Sequence, residues 1–244
     1  MNTNIKKMTT KLNDPIGQAI NEYSLTRKPF DIIVSSDMCD DDIIPIETLF
    51  RSFKDMPELE QQAMEMCKGK TLDVGACAGP HTRYLMDSGF NVFSIDTSPG
   101  AVEYLKNIGA QAQLADFHQF ETKDTFDTIL MLMNGIGIAG TLAQLETTLL
   151  KAKSLLKPGG QLLLDSSDVS FLYEEEDGSF WTDLNSAYYG NFRFKMSYKK
   201  TEGEWFDWLY VDYDNLHEVA EKCGFKSKRI MEQDHHYLAQ LIYA

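Results

Sequence analysis

Leu72-Asp73-Val74-Gly75-Ala76-Cys77-Ala78-Gly79-Pro80-His81 is the stretch on which the reading of this chain turns. A short apolar run ends in a small-residue turn, and the turn opens a segment with a proline at its first helical position. Gly75 and Gly79 allow backbone to approach a ligand closely, and the N–H groups of the helix start favour an anionic group nearby. The dinucleotide fingerprint G-x-G-x-x-G would need glycine at positions 77 and 80, which hold Cys77 and Pro80. Asp73 at the strand end would oppose a pyrophosphate and suits a ligand carrying an ammonium and a sulfonium, or else it orients the turn.

Outward from this turn the chain alternates strand and helix signals, which predicts an α/β fold with a doubly wound parallel sheet. A helix is expected over residues 80–88 and a strand over 91–95, followed by a helix capped at Ser98-Pro99 and stopped by Gly109. A weaker strand covers 111–115. The continuous apolar run FDTILMLM, residues 126–133, reads as a central strand buried on both faces. Thr141 with Gln144 reads as a capping box for the next helix, and Lys157-Pro158-Gly159-Gly160 separates that helix from a strand at 161–164. Beyond Asp168 the pattern changes. The acidic run EEED lies at 174–177, and aromatic alternation over 188–198 and 204–212 predicts an antiparallel hairpin inserted into the core. A helix capped by Asp214 and strands near 226–232 and 236–243 follow.

This organisation divides the chain into a lid-like N-terminal extension, 1–62, a core made of 63–168 with 214–244, and the inserted hairpin region 169–213. The extension is expected to carry a helix at 56–67 and to cover the open end of the sheet, where ligands of such folds bind. Its first residues, MNTNIKKMTTKLND, read as a loose start without the apolar core of a signal peptide.

The chain has 244 residues, 43% of them hydrophobic, and a net charge of −14. Such an acidic chain lacks the basic cluster needed to displace counterions from nucleic acid, so neither nucleic acid nor an anionic membrane is expected as a partner. Cys39, Cys67, Cys77 and Cys223 form no CxxC pair, so reduced thiols in a cytoplasmic setting are expected, with no metal site. His235 and His236 would point to opposite faces of a strand and cannot share a metal. The Asp37, Asp40, Asp41, Asp42 cluster reads as a solvated loop. Trp181, Trp205 and Trp208 read as hairpin packing, with an aromatic wall to a pocket as the alternative.

Two further carboxylates complete a pattern. Asp96 stands 21 residues after Gly75 at the end of the next strand, where it can accept two hydrogen bonds from a ribose diol. Asp116, beside Phe117, follows the third strand, where the acid could meet an adenine amino group and the ring pack on the base. The order LDVGACAG, SIDTSPGAVEYL, LADF, FDTILMLMNGIGIAG, LLKPGGQLLLDSSD resembles the class I S-adenosylmethionine (SAM)-dependent methyltransferases over about residues 70–168. The resemblance implies a Rossmann-like, doubly wound seven-stranded sheet whose last strand is antiparallel. It also implies SAM as cofactor and S-adenosyl-L-homocysteine as product. The family's glycine-rich motif matches Asp73, Gly75 and Gly79, with Cys77 at the usual middle glycine. Its ribose acid matches Asp96 and its adenine-side acid Asp116.

The cofactor site expected on this basis comprises Asp73, Gly75, Ala76, Gly79, Asp96, Thr97, Asp116, Phe117, Met133 and Asn134. The Asn/Asp-Pro-Pro-aromatic motif of base and glutamine methyltransferases is absent, since Asn134-Gly135-Ile136-Gly137 stands there. A small-molecule acceptor is therefore expected, held by a monomer or homodimer. Acceptor-side candidates are Phe50, Arg51, Phe53, Asn134, Tyr188 and Tyr189. No single catalytic residue is demanded, because the sulfonium already activates the methyl group and a base is needed only if the acceptor must lose a proton. An NAD(P)-dependent oxidoreductase and a non-catalytic SAM-binding protein are the alternatives.

Overall fold

A computed structural model describes residues 13–173 and 188–244. The chain opens with α1 (Pro15–Thr26), β1 (Ile32–Ser36) and β2 (Asp42–Ile44), and two short 3-10 turns lead into α2 (Glu58–Met66). Strand and helix then alternate as β3 (Lys70–Val74), α3 (Pro80–Asp87), β4 (Asn91–Asp96), α4 (Pro99–Asn107), β5 (Gln111–Leu114), β6 (Phe126–Met131), α5 (Leu142–Leu155) and β7 (Leu156–Ser167). After these come β8 (Asn191–Tyr198), β9 (Thr201–Glu202), β10 (Phe206–Leu209), α6 (Tyr213–Lys222), β11 (Phe225–Gln233) and β12 (His236–Tyr243).

Seven strands form the main sheet in the order β11-β12-β7-β6-β3-β4-β5. Only β12 runs against the rest, pairing antiparallel with both β7 and β11, as expected. The two-faced burial anticipated from FDTILMLM is realised residue by residue. Ile129 and Met131 join Leu162 and Leu164 under Leu145 and Leu149 of α5 and Leu216 of α6. Leu130, Leu163 and Leu238 point the other way, into Leu59 and Ala63 of α2 and Leu85 of α3. Alternation of side chains along each strand therefore feeds two separate apolar layers.

A second sheet, in the order β10-β8-β1-β2 with β9 paired to β8, departs from the expected layout. The extension is not a purely helical lid. Its strand β1 lies between β2 and β8, with Ile33 opposite Ser197 and Val34 opposite Met196, so the expected hairpin is completed by N-terminal strands. Residues IIVSS are β-branched or small and form a strand once β8 supplies a partner. Ile32, Ala19, Ile20, Tyr104 and Tyr198 make a third apolar cluster that welds this sheet, through α1, to α4. The helix at the end of the extension, α2, belongs to the packed core.

Two helix starts differ from their sequence reading. Thr141 makes no side-chain cap on α5. The Leu142 N–H instead donates to Asn191 Oδ1 at 2.9 Å, so a residue of the second sheet replaces the expected capping box. Helix α6 is capped by Asp212, which accepts from the Asn215 N–H at 2.9 Å, and not by Asp214, which sits in the first turn. The acidic run at 174–177 and Trp181 lie outside the described residues.

Candidate cofactor and acceptor site

The carboxyl ends of β3, β4 and β5 open into a cavity of about 830 Å³, a size suited to a small-molecule ligand. Gly75, Cys77 and Gly79 adopt positive φ angles of 71°, 49° and 73°, which curl the chain from β3 into α3. The Gly75 and Ala76 N–H groups both donate to Ile95 O, at 2.9 and 3.2 Å, pinning the turn to β4. The two glycines serve different ends. A Cβ at Gly75 would meet no atom within 4 Å and would project into open space, leaving its backbone bare to the cavity. A Cβ at Gly79 would stand 2.6 Å from Leu105 Cδ2. Gly79 is thus small so that α4 can pack on α3, and not, as expected, so that a ligand can approach. Ala76 likewise turns its side chain into a small cluster with Leu105 and Ala110.

Asp96 is buried at the cavity floor, where its Oδ2 accepts from the Cys77 N–H and its Oδ1 from the Ser98 N–H, both at 2.8 Å. Each oxygen keeps a further lone pair for a ligand hydroxyl. Burial, reinforced by the charges of Asp14 and Asp73 and only partly offset by those two N–H groups, pushes its carboxyl up to about 6. Asp73 lies deeper. It is 2% exposed, accepts from Thr82 Oγ1 at 2.5 Å, and does not line the cavity, so it braces the turn from behind. Thr97 is exposed on the wall. Asp116 caps its own 3-10 turn, its Oδ1 accepting from the His118 N–H at 2.8 Å and the Gln119 N–H at 3.2 Å, and faces the cavity beside Phe117. Phe117 is 4% exposed and belongs to the core as well as to the wall.

Met133 and Asn134 follow β6 with left-handed backbones. The buried carboxylate of Asp165 holds this bend, accepting from the Met133 N–H at 3.1 Å and the Gly135 N–H at 3.2 Å, and Asn134 accepts from Ser167 Oγ at 2.9 Å. Neither residue lines the cavity. Nor do the acceptor-side candidates. Phe50 packs between Tyr23 and Tyr104, at centroid distances of 4.8 and 5.3 Å. Phe53 stacks on Tyr84 at 4.2 Å. Arg51 pairs with buried Glu60, which His81 also contacts at 2.7 Å, so Arg51 supplies the counter-charge of an interior acid and His81 a further polar partner. Tyr188 and Tyr189 both donate to Asp212, at 2.5 and 3.2 Å, and Tyr189 also to Asp168. His236, the first residue of β12, meets Asp165 at 2.9 Å, while His235 lies in the turn before it and stacks on Phe171, so the two have separate partners.

The far wall of the cavity comes from residues not singled out as contacts. Ile138 enters from the turn after β6 and Met196, Phe206 and Trp208 from the second sheet, while Asp14 and Ile16, at the start of α1, line the cavity on the Ser98 side. Trp208 takes the alternative role, an aromatic wall, whereas Trp205 is 42% exposed. Asp14 had no sequence signal beyond a polar residue before Pro15. Its carboxylate accepts from the Gly17 N–H at the start of α1, and from Ser98 Oγ and the Gly100 N–H at the start of α4, which ties the two helices together beside the cavity. Among the described residues no group of three or more His, Cys, Asp or Glu is placed to hold a metal ion, and no helix is long and apolar enough to cross a membrane.

A family model for a methyltransferase domain matches residues 72–164. A crystal structure of a SAM-dependent methyltransferase from Bacteroides fragilis, in complex with S-adenosyl-L-homocysteine, shares 44% identity with this chain. Each covers 95% of the other, with a TM-score of 0.89. Two more distant structures share the fold. The sugar N-methyltransferase from Streptoalloteichus is 15% identical over 85% of this chain and 96% of that one, with a TM-score of 0.57. The amino pentose methyltransferase from Micromonospora echinaspora is 15% identical over 81% of this chain and 96% of that one, at 0.54. No curated protein matches the chain.

Proposed function

The chain belongs to the SAM-dependent methyltransferases, and from that footing we propose that it transfers a methyl group to a small-molecule acceptor lying between the Gly75 turn and the second sheet. The cofactor is SAM, and the membership sets aside the nicotinamide alternative. The observation that carries the placement is the bare backbone of Gly75 beside Asp96, on the floor of a cavity whose opposite wall is a separate sheet. Asp96 would accept from the ribose hydroxyls through its remaining lone pairs. Asp116 and Phe117 would hold the adenine side. Thr97 lines the same cavity.

When bound, the cofactor supplies a methyl group already activated by its sulfonium. The protein's own residues then orient the acceptor and exclude water. Gly75 gives close approach, Asp96 fixes the adenosyl half, and Met196, Phe206 and Trp208 enclose the side away from β3 and β4. The extension contributes to that enclosure through Asp14 and Ile16, and by supplying the strands beside β8. Isothermal calorimetry with S-adenosyl-L-homocysteine, followed by labelled-methyl transfer onto a small-molecule library, tests this reading. Expected are tight binding of S-adenosyl-L-homocysteine and transfer to a soluble acceptor. Binding of NAD with none of S-adenosyl-L-homocysteine, or binding without transfer to any acceptor, would overturn it.

A further inference from the structure

Resting on the methyl-transfer reading above, we propose that Trp208 is the specificity-determining wall of the acceptor subsite, and that the acceptor is an amine-bearing small molecule with an apolar face. The first observation is how the indole is seated. A Cβ at Gly137 would stand 2.2 Å from both Nε1 and Cε2 of Trp208, so the ring lies directly on the backbone of the turn after β6. Gly140, at the end of that turn, has a left-handed backbone, and a Cβ there would touch Asp207 Cβ at 3.4 Å. Gly137 is therefore glycine because the β10 indole occupies the place of its side chain. Phe206 meets Trp208 edge to face at 6.0 Å, which fixes the ring from the side. A large aromatic face is held rigidly against the cavity, opposite the Gly75 turn, at low cost in side-chain freedom on binding.

The second observation is the sign of the cavity's charge. Glu204 lines it on the Trp208 side and Asp14, Asp96 and Asp116 on the other, while no lysine or arginine among the described residues lines it. Asp207 shares its charge with Arg193 at 3.4 Å outside the cavity, and among the described residues no cation pairs with Glu204. A carboxylate or phosphate on the acceptor would meet these acids with no lysine or arginine to offset them, whereas an ammonium is drawn in, and its alkyl or ring face lies on the indole. The transfer balances. The ammonium first gives a proton to solvent, the freed lone pair forms the new N–C bond, and the S–C bonding pair returns to sulfur to leave a neutral thioether and a methylated ammonium.

Three probes of one shape and different charge test this: benzylamine, benzyl alcohol and benzoate, each followed by saturation-transfer NMR on the full chain loaded with S-adenosyl-L-homocysteine. Benzylamine is expected to bind at least tenfold more tightly than benzoate, with benzyl alcohol between them. Trp208→Ala should weaken benzylamine about tenfold, Trp208→Phe should restore most of it, and both should leave S-adenosyl-L-homocysteine affinity within twofold. Glu204→Gln, on an exposed residue, should bring the benzylamine and benzoate affinities closer together, which keeps the test decisive should Trp208→Ala not fold. Benzoate binding as well as benzylamine, no probe binding at all, or a loss in Trp208→Ala shared equally by S-adenosyl-L-homocysteine would overturn the proposal. Failure of the unmodified chain to bind S-adenosyl-L-homocysteine in calorimetry would instead remove the reading on which it rests.

Discussion

Asp96 is expected to serve the cofactor at the expense of the empty protein, and substituting it with asparagine separates the two. Its carboxyl rises from an ordinary 3.8 to about 6 because burial disfavours the charge. Folding therefore favours the protonated form. The associated penalty is absent below about pH 4, grows through the interval up to pH 6, and levels off at about 3 kcal/mol above it. An asparagine in its place would carry no charge, but its amide nitrogen would face one of the two N–H donors now held by the carboxylate, at a cost of about 1–3 kcal/mol. These terms nearly cancel at pH 8, so Asp96→Asn should match or exceed the parent in thermal stability there. At pH 4 the relief has vanished and the variant should be the less stable. Cofactor binding should behave oppositely. The ribose hydroxyls need a charged acceptor, so the variant should lose roughly 1.5–3 kcal/mol, about tenfold to a hundredfold in affinity. Parent affinity should fall as pH drops below 6, while the variant's stays flat. Scanning calorimetry of the empty protein and isothermal calorimetry with S-adenosyl-L-homocysteine, from pH 4 to 8, measure both. A parent affinity unchanged between pH 5 and 7.5, or a variant with the same pH profile, would refute the reasoning.

Gly75→Ala and Gly79→Ala should fail in different ways. The first should cost about 1 kcal/mol from its positive φ and also lose S-adenosyl-L-homocysteine affinity, as bulk enters the cavity. The second should cost roughly 2 kcal/mol or more through the clash with Leu105, while affinity in the folded fraction holds. Reversed effects in paired melting and binding measurements would exchange the two assignments. Glu60→Gln should lower stability by about 3 kcal/mol or more by leaving Arg51 buried without its counter-charge. Burial alone would push the Glu60 carboxyl up, but bonds from His81 and Arg51 hold it below its ordinary range. The stability it gives is present above its unfolded value and lost as pH falls through the lowered one. A melting shift under about 2 °C at pH 7 would show that the triad contributes little.

Much of the main sheet was legible because its signals are local. A strand buried on both faces needs a continuous apolar run, a helix start needs Ser98-Pro99, and a tight turn needs Gly75. The carboxylates Asp96 and Asp116 stand out by their position at strand ends, and both do face the cavity. What escaped was non-local. Nothing in IIVSS says that its partner is residues 194–197, and nothing in Asn191 announces that it will cap α5. Gly79 reads as ligand-facing because a glycine beside a turn looks the same whether it admits a cofactor or Leu105. Phe50 and Phe53 suggest themselves by their chemistry, but neighbouring rings, remote in sequence, already occupy them.

The pairing of β1 with β8 sets an order of events during synthesis. Ile33 leaves the ribosome about 160 residues before Ser197, the residue it must pair with, at roughly 5–20 residues per second. For several seconds at least, an apolar strand waits without its neighbour, and such an edge invites pairing with other chains. The acids around it, Asp31 before the strand and Asp37, Asp40, Asp41 and Asp42 after it, then acquire a purpose that no ligand need supply. They flank the strand with charge while its partner is still being made, the placement by which charge disfavours pairing with other chains. The βα units between residues 70 and 167 can pair among themselves during that interval. The strands of the wall that encloses the acceptor are thus made after the βα units that carry the cofactor floor.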